Sequence, residues 1–471
     1  MPLPASSLAQ TCDVLVVGGG NAAMCAAISA AEGGASVIVL EAAPHPYRGG
    51  NSRHTRDIRY LHPGATRYVT GPYDEAEFWD DLWRVTGGET DEILARLVIQ
   101  RSVDIEAWMM AHGVRWQPPL HGTLHLARTN VFMLGGGKAM MNALYQTAES
   151  LGVSVRYESR ATSLSFDGHT FCSARVSVGQ EQHHIDITAR SLVVAAGGFE
   201  ANVPWLKRYW GDAADNFIIR GTPYNRGDML AALLDAGALA VGDPKEFHAV
   251  ALDARAPKFD GGIVTRLDSV PFGIVVNRDA QRFYDEGEDF WPKRYAIWGG
   301  LIARQPEQIA YSIIDSRSMG LFMPSVFPPI KAASLAALAS ALGLDPERLC
   351  RTVAAYNTSV QPGQFDPGAL DECRTEGLQP PKSHWAVTIE SPPFYGYPLK
   401  TGVTFTYRGV AVDEQARVIF GDRGPAPNVF AAGEVMAGNI LGRGYLAGFG
   451  LTIGTVFGRI AGKEAAAHAT H

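Results

Sequence analysis

Three small residues near the start of the sequence have the spacing of a dinucleotide-binding turn. Gly18, Gly20 and Ala23 follow an apolar run at residues 14–17 and fit the pattern Gly-x-Gly-x-x-Gly/Ala. The first glycine permits a tight turn, the second lets the backbone approach a pyrophosphate, and Ala23 keeps the next helix close to the strand. The free N–H groups of that helix, expected over residues 22–33, would face the phosphates. The turn therefore predicts a bound dinucleotide.

An acidic residue follows at the distance that such a site requires. Residues 35–42 read as a second strand that contains Glu41, about 20 residues after the glycines, where a carboxylate binds ribose hydroxyls. Strand, turn, helix, strand and acid together are much more specific than the glycines alone. Glu41 suits an unphosphorylated ribose, which includes the adenosine ribose of FAD.

A second glycine turn far along the chain decides between nicotinamide and flavin. In NVFAAGEVMAG an apolar strand runs into Gly433 and Glu434, which gives a second contact to one extended dinucleotide. A nicotinamide dehydrogenase needs no such partner, so the ligand is predicted to be a resident FAD. GGGKAM at 135–140 follows no clear strand, and a separate NAD(P)H site is not expected.

The order of the patterns indicates an α/β fold of two domains. Buried and alternating strands occur up to about residue 199, irregular proline-containing segments follow, and strands return after residue 406. The C-terminal helix, GFGLTIGTVFGRIAGKEAAAH, contains many small residues, which indicates close packing. We predict a Rossmann-like FAD-binding domain from residues 1–240 and 406–471, with an inserted α+β capping domain at 241–405.

Composition limits the class of protein. The 471 residues are 46% hydrophobic and 19% charged, with a net charge of −7 that disfavours a nucleic-acid surface. The five cysteines are scattered, and no Cys/His pattern indicates zinc or an iron–sulfur cluster, so no metal site is predicted. Neither a signal peptide nor a membrane-spanning run is recognisable, and a cytoplasmic protein is expected.

The sequence resembles the fumarate reductase and succinate dehydrogenase flavoprotein family over nearly its full length. The resemblance is carried by VVGGGNAA, GGNS at 49–52, VVAAGGFE, GDM at 227–229, VVNRDAQRFYDEG, NVFAAGEVMAG and FGRIAG. It implies a flavin domain and a capping domain, with the substrate between them over the isoalloxazine ring.

Within that family, three segments look most like the FAD-dependent tricarballylate dehydrogenases, which oxidise tricarballylate to cis-aconitate. These segments are RGGNSRHTR, DFWPKRYAIWG and GYLAGFGLTIGTVFGRIAG. The resemblance implies a polycarboxylate substrate and electrons that pass to a separate acceptor. We expect that acceptor to be a membrane iron–sulfur or haem protein, which could hold the chain at the inner membrane face.

Sixteen residues are expected to contact FAD, from the motif and from the resemblance. They are Gly18, Gly20, Asn21, Ala22, Ala23, Glu41, Gly50, Asn51, Ser52, Ala161, Gly197, Asp228, Gly433, Glu434, Gly448 and Leu451. Covalent members of the family carry a flavin-linked histidine where this chain has Asn51, so the FAD is expected to be non-covalent. His54 lies three residues away from that position.

The expected catalytic residues follow from departures from the family pattern. Fumarate reductases carry arginines where this chain has Phe290 and Tyr445, and paired histidines where it has Thr404 and Phe405. A guanidinium group binds a carboxylate through two parallel hydrogen bonds, so a nearby arginine can replace a missing one. The candidates for carboxylate binding or proton transfer are Arg294, Arg443, Arg266, Tyr445 and His248. Each of them has an ordinary structural role as its alternative, and Arg53, Arg56 and Arg59 are expected on a solvated face.

Three other functions remain open for this fold. One is a 3-ketosteroid-type dehydrogenase, which the late Gly-Tyr pair also suits, and a second is a fumarate reductase-like enoate reductase. The third is a flavoprotein subunit that works only with a membrane partner. Pocket charge separates these readings, since three or more convergent arginines would exclude a steroid.

Overall fold

Two large β-sheets and the helices packed on them form the protein. The computed structural model describes residues 10–119, 125–179 and 183–470. The strands are β1 (Thr11–Val17), β2 (Val37–Leu40), β3 (Asp57–Arg59), β4 (Trp116–Gln117), β5 (Asn130–Met133), β6 (Ser154–Arg156), β7 (Ser159–Asp167), β8 (Thr170–Val178), β9 (His183–Val194), β10 (Ile218–Arg220), β11 (Ala240–Val241), β12 (Phe247–Asp253), β13 (Phe259–Asp260), β14 (Ile274–Asn277), β15 (Ile309–Ile314), β16 (Ile330–Ala332), β17 (Phe394–Thr406), β18 (Gly409–Val410), β19 (Arg417–Phe420) and β20 (Gly424–Ala431).

The helices lie mainly on the faces of these sheets. They are α1 (Asn21–Glu32), α2 (Glu75–Thr86), α3 (Glu92–Arg101), α4 (Ile105–Ala111), α5 (Leu126–Thr129), α6 (Gly136–Ser150), α7 (Val203–Trp210), α8 (Asp228–Asp235), α9 (Trp291–Arg294), α10 (Trp298–Ala303), α11 (Leu335–Leu342), α12 (Pro346–Ser359) and α13 (Phe449–Thr470). None of these described helices is long and apolar enough to cross a lipid bilayer.

The first sheet has a parallel core that both ends of the sequence build. Its main order is β19-β20-β9-β1-β2-β6, and β7 and β8 extend it through β9. Residues 14–17 of β1 pair in parallel with β2 on one side and β9 on the other, and all four are buried. A strand buried on both faces needs apolar side chains at successive positions, which the run Val-Leu-Val-Val supplies. The predicted α/β fold and the predicted first strand are confirmed.

Helices α1 and α13 lie against each other unusually closely. A Cβ atom at Gly458 would lie 2.5 Å from the carbonyl oxygen of Ala22, and one at Gly462 would lie 2.1 Å from that of Ala26. Such distances leave room only for glycine, so the small residues of α13 set the helix spacing. The predicted close packing of this helix is confirmed.

The second sheet is built from the middle of the chain. Its main order is β13-β10-β17-β15-β14, and β12 and β16 also pair with β17. The predicted boundary at residue 240 assigns β10 to the FAD-binding domain, whereas β10 pairs in parallel with β17. The domain boundaries otherwise stay predictions, and residues 1–9 of the first one lie outside the described residues.

Candidate active site

One cleft, between the end of the first sheet and the second sheet, collects nearly all the predicted FAD contacts. Its lining includes every predicted residue except Ala23 and Gly448, namely Gly18, Gly20, Asn21, Ala22, Glu41, Gly50, Asn51, Ser52, Ala161, Gly197, Asp228, Gly433, Glu434 and Leu451. These residues come from segments spread between positions 18 and 451. The fold therefore assembles one site from both ends of the sequence.

The nucleotide end of the cleft, formed by Gly18, Gly20, Glu41 and Ser52, is built from backbone N–H groups. Helix α1 starts after Gly20, and its first N–H group, that of Asn21, donates to Ser52 Oγ at 3.0 Å. A Cβ atom at Gly18 would lie 2.1 Å from the Ala195 carbonyl oxygen, whereas the nearest atom to one at Gly20 is Ser52 Oγ at 3.4 Å. Gly18 is thus needed by the fold, and Gly20 keeps the cleft open. A helix N-terminus with a serine hydroxyl beside it and an open glycine fits a pyrophosphate.

Glu41 lies in the same region as a buried carboxylate held by the backbone. Its two oxygens accept hydrogen bonds from the N–H groups of Ala43 at 2.9 Å and Gly49 at 3.1 Å. Burial raises the pKa of this carboxyl above its usual value, and the backbone hydrogen bonds oppose that rise. The carboxylate is therefore fixed at the edge of the cleft, where a ribose could meet it.

Two of the predicted FAD contacts lie outside the cleft lining, and a third, Asp228, is paired within it. Ala23 is fully buried behind the cleft, in keeping with its expected packing role. Gly448, with a φ of +79°, faces the interior, where a Cβ would lie 2.4 Å from Asn130 Nδ2. Asp228 lines the rim of the cleft and forms an ion pair with Arg160.

Asn51 connects the two sheets in the middle of the cleft. Its Nδ2 donates to Glu200 Oε1 at 2.7 Å and to the Thr404 carbonyl at 2.9 Å, and its Oδ1 accepts from the Thr222 N–H at 2.8 Å. Burial, followed by the neighbouring Glu434 carboxyl, raises the pKa of Glu200 well above its usual value. Sequence reasoning missed Glu200, although it ends the quoted motif VVAAGGFE.

The arginine end of the cleft is formed by Arg220, Phe405, Tyr445 and Gly450. The Arg220 guanidinium donates to the Gly262 carbonyl at 3.2 Å and to Thr404 Oγ1 at 3.4 Å. Within the described ranges no carboxylate lies within 4 Å of it, and burial lowers the pKa of Arg220 to about 10. A buried guanidinium without a carboxylate partner is a strong candidate for binding an anion. Sequence reasoning missed Arg220; its only signal is a lone arginine between strand β10 and a Gly-Thr-Pro turn.

Two further arginines lie behind this end of the cleft. Arg266 binds Asp268 with two hydrogen bonds of 2.8 Å and lies over the Tyr295 ring at 4.7 Å. Arg56 lies 3.6 Å from Asp57 and 3.7 Å from Asp268. Arg56, Arg220 and Arg266 thus converge on one region.

The predicted solvated face is therefore wrong for two of its three arginines. The side chains of Arg56 and Arg59 are only 15% and 1% exposed. Strand β3, which contains Arg59, lies inside the fold and pairs with β5. Buried aspartates near these arginines, Asp57 and Asp268 for Arg56 and Asp81 for Arg59, offset their charge.

An aromatic cluster of His248, Tyr295 and Tyr445 packs beside these arginines. The His248 ring stacks on Tyr445 at 4.0 Å and meets Tyr295 edge-on at 5.4 Å. Neither ring nitrogen of His248 has a hydrogen-bond partner in the described part of the chain. Burial, with Arg220 and Arg266, holds the pKa of His248 well below its usual value. Burial also raises the pKa of Tyr295 to about 12 and that of Tyr445 further, so at neutral pH the phenols are protonated and the imidazole is neutral.

The structure does not bring Arg294 and Arg443 to the cleft. Both line a separate cavity, where Arg294 donates to Glu288 at 2.5 Å and Arg443 Nε donates to the Thr86 carbonyl at 3.2 Å. Phe290, at the other expected arginine position, packs on the His125 ring at 4.1 Å. A carboxylate clamp at the cleft must therefore use Arg220 and its neighbours.

The comparison with protein families agrees with the geometry of the cleft. Residues 13–451 match the family described as FAD binding domain. The chain belongs to this family. It is an oxidoreductase whose cofactor is FAD. The nucleotide end of the cleft has the N–H donors that the FAD pyrophosphate requires and the carboxylate acceptor that its ribose requires.

Relatives and solved structures extend over almost the whole chain. It is 26% identical to an NADH:fumarate oxidoreductase of Klebsiella pneumoniae (strain 342), covering 97% of this chain but 48% of that protein. The chain thus spans about half the length of this relative. A flavocytochrome c3 fumarate reductase in an open conformation superposes with a TM-score of 0.76 at 24% identity, covering 99% of this chain and 80% of that one. A 3-ketosteroid-Δ4-(5α)-dehydrogenase from Rhodococcus jostii RHA1 gives 0.71 at 22% identity, covering 99% of each chain.

Proposed function

We propose that this flavoprotein oxidises a carbon–carbon single bond of a polycarboxylate, as in the conversion of tricarballylate to cis-aconitate. The observation that carries the proposal is Arg220, a buried guanidinium in the cleft lining, with the charges of Arg266 and Arg56 close behind it. Bound FAD supplies the acceptor for the hydrogen that leaves with its electron pair. The residues of the chain must bind the carboxylates, orient the substrate and receive a proton.

The charge of such a substrate explains why buried arginines are needed. A tricarboxylate carries up to three negative charges, and enclosing it is costly unless cations meet it. Arg220 has no carboxylate partner in the described residues, and Arg56 has none closer than 3.6 Å, so both keep N–H donors free. Arg266 is already paired with Asp268 and adds charge rather than donors. Arg220 is therefore assigned as the main carboxylate ligand.

The proton acceptor follows from the protonation states of the aromatic cluster. Tyr295 and Tyr445 are protonated at neutral pH because burial raises the pKa of each phenol. His248 is neutral, and neither of its nitrogens is engaged within the described chain. Of these three groups only His248 has an unprotonated ring nitrogen at neutral pH, and its ring stacks at 4.0 Å on Tyr445, which lines the cleft. We assign His248 as the base of the proposed reaction.

Anaerobic mixing of the oxidised holoenzyme with tricarballylate tests this function. The flavin absorbance should bleach, and cis-aconitate should form in an amount equal to the flavin reduced. Succinate is the matched control, because it has the same C–C bond with one carboxylate fewer, and it should bleach the flavin more slowly. A flavin that stays oxidised with tricarballylate contradicts the proposal.

A second candidate is supported by the two protonated phenols. Tyr445 lines the cleft, and a phenol donates well to a ketone oxygen, as a 3-ketosteroid-type dehydrogenase requires, but the three converging arginines count against a steroid. The same proton could serve the reverse reaction, the reduction of an enoate. A 3-ketosteroid in the anaerobic assay, and fumarate added to chemically reduced enzyme, distinguish these two reactions from the first.

We also propose that the electrons leave to a separate acceptor protein. The five cysteines are all unpaired. Turnover with a soluble redox dye but not with oxygen is the expected result. Fast turnover with oxygen alone contradicts the need for such an acceptor.

A further inference from the structure

A second cavity of about 370 Å³ lies between the two halves of the fold. Residues 84–85 and 443–444 line one side, and residues 245–247 and 294–304 contribute the other. Five cationic side chains share this lining, namely Arg84, Lys245, Arg294, Arg304 and Arg443. The cavity is distinct from the FAD cleft, since the two sets of lining residues have no member in common.

Carboxylates neutralise most of this charge, but not all of it. Asp289 pairs with Arg84 at 2.8 Å and Glu288 with Arg294 at 2.5 Å, while Glu246 and Glu89 lie only 3.6 Å and 3.9 Å from Arg304 and Arg443. Within the described ranges Lys245 has no such partner. Five cations and four carboxylates leave a net charge of +1. The guanidinium groups of Arg304 and Arg443, whose carboxylates are more distant, keep N–H donors available to a ligand.

Two buried donors point to a polar ligand in the same place. Trp210 Nε1 and Arg294 Nε are buried, and neither has an acceptor among the residues that the structure describes. An unpaired buried N–H costs free energy, so such groups usually meet a partner that binds there. Both N–H groups can only donate, which favours an anion.

The second cavity and the reaction centre share a wall. Phe247, Arg294 and Gly444 line the cavity. The residues that follow them, His248, Tyr295 and Tyr445, form the aromatic cluster beside the arginine end of the cleft. At three places, therefore, one residue lines the cavity and the next residue in the sequence belongs to the reaction centre.

We propose that the second cavity is an anion-binding antechamber, in which the carboxylate substrate is held before it reaches Arg220. This inference rests on the proposed polycarboxylate function. Cationic walls concentrate an anion near the site and raise its association rate by roughly ten- to a thousandfold. Substrate binding would then have two stages, with the antechamber first and the arginine end of the cleft second.

A binding experiment on variants that lack the cleft ligand tests the antechamber directly. Titration calorimetry of the Arg220→Met holoenzyme with tricarballylate should still show one binding event. Adding Arg304→Met and Arg443→Met should weaken that binding at least about tenfold, because two charge-assisted contacts are lost. The matched control adds Arg348→Met and Arg374→Met, which remove equal charge at side chains of equal exposure, 54% against 53%. FAD content and Tm of all the variants show whether they remain folded.

The outcomes separate the antechamber from the proposed function. The antechamber is overturned if Arg220→Met does not bind tricarballylate. It is also overturned if adding Arg304→Met and Arg443→Met to Arg220→Met leaves the affinity unchanged. Binding that follows the expected pattern without any bleaching of the flavin supports the antechamber and contradicts the polycarboxylate oxidation. Where the flavin does bleach, the Arg304→Met/Arg443→Met variant should lower kcat/KM and its dependence on ionic strength, while the limiting rate of flavin reduction stays the same.

Discussion

The two ends of the cleft are built to recognise their ligands in different ways. At the nucleotide end, backbone N–H groups and the fixed Glu41 carboxylate are placed for recognition. At the arginine end, a buried guanidinium and aromatic rings face the proposed substrate. The protonation states of these groups decide whether they bind a carboxylate or accept a proton. Substitutions at the first end should thus remove the cofactor, and those at the second should slow the chemistry while FAD stays bound.

The largest effect is expected for Gly20→Val. A Cβ at this position contacts the protein only at 3.4 Å or more, so the fold should tolerate the change, but the branched side chain enters the pyrophosphate space. FAD content, measured by absorbance after purification, should fall below about a tenth, as a bulky group at this glycine excludes the phosphate.

Gly18→Val is the informative companion to that variant. Its Cβ would lie 2.1 Å from a carbonyl oxygen at a φ of +119°, so this change should lower the Tm of the apoprotein as well. Equal losses of Tm in both variants would show that Gly20 also supports the fold. Normal FAD content in Gly20→Val would mean that the pyrophosphate lies elsewhere.

The next effect is expected for Arg220→Met. Loss of a charge-assisted bidentate contact costs on the order of 2–4 kcal/mol, or roughly 30- to 1,000-fold in kcat/KM for tricarballylate. FAD content should not change, because the residue lies at the arginine end. Single-turnover flavin reduction measures the effect, with Arg374→Met as the control for overall charge. A loss smaller than about threefold would remove Arg220 from the role of carboxylate ligand.

The pH dependence of kcat/KM should reveal the ionisation of Arg220. Arg220 binds a carboxylate only when protonated, so kcat/KM should fall as pH rises through its lowered pKa of about 10. His248 stays neutral because its pKa is held well below the usual value, so it should add no inflection between about pH 6 and 8. The limb near pH 10 should be absent from Arg220→Met. Its persistence there would assign the limb to another group.

The smallest expected effect concerns the mass of the denatured chain, which should equal that of the polypeptide alone. Asn51 stands where covalent members of the family carry the linking histidine, and its amide is fully used by Glu200, Thr404 and Thr222. Denaturation should release free FAD and leave a polypeptide of the mass given by its sequence. A chain heavier by one FAD would show a covalent link through another residue, with His54 the nearest histidine in the cleft lining.

The nucleotide end could be predicted from the sequence because its residues lie close together along the chain. Gly18, Gly20 and Glu41 belong to one strand–turn–helix–strand unit, in which spacing alone fixes which groups meet. The strand running into Gly433 was recognisable for the same reason. These motifs were sufficient to predict the cofactor.

Arg220 was missed because strand pairing between distant segments, β10 with β17, brings it to the cleft. His248, Arg266 and Tyr445, which the sequence did suggest, lie beside it. Arg294 and Arg443 were chosen for their nearness in sequence to the family positions. The adjacent residues Tyr295 and Tyr445 belong to the aromatic cluster, whereas Arg294 and Gly444 line the second cavity.

The glycine contacts between α1 and α13 place a constraint on how the protein is made. The helix that opens the phosphate site is complete at Glu32, but the helix that covers its other face begins only at Phe449. At roughly 5–20 residues per second, a ribosome needs some tens of seconds to reach that point. During translation the apolar face of α1 therefore stays exposed until α13 is made. We expect a chaperone to bind this face before FAD can bind.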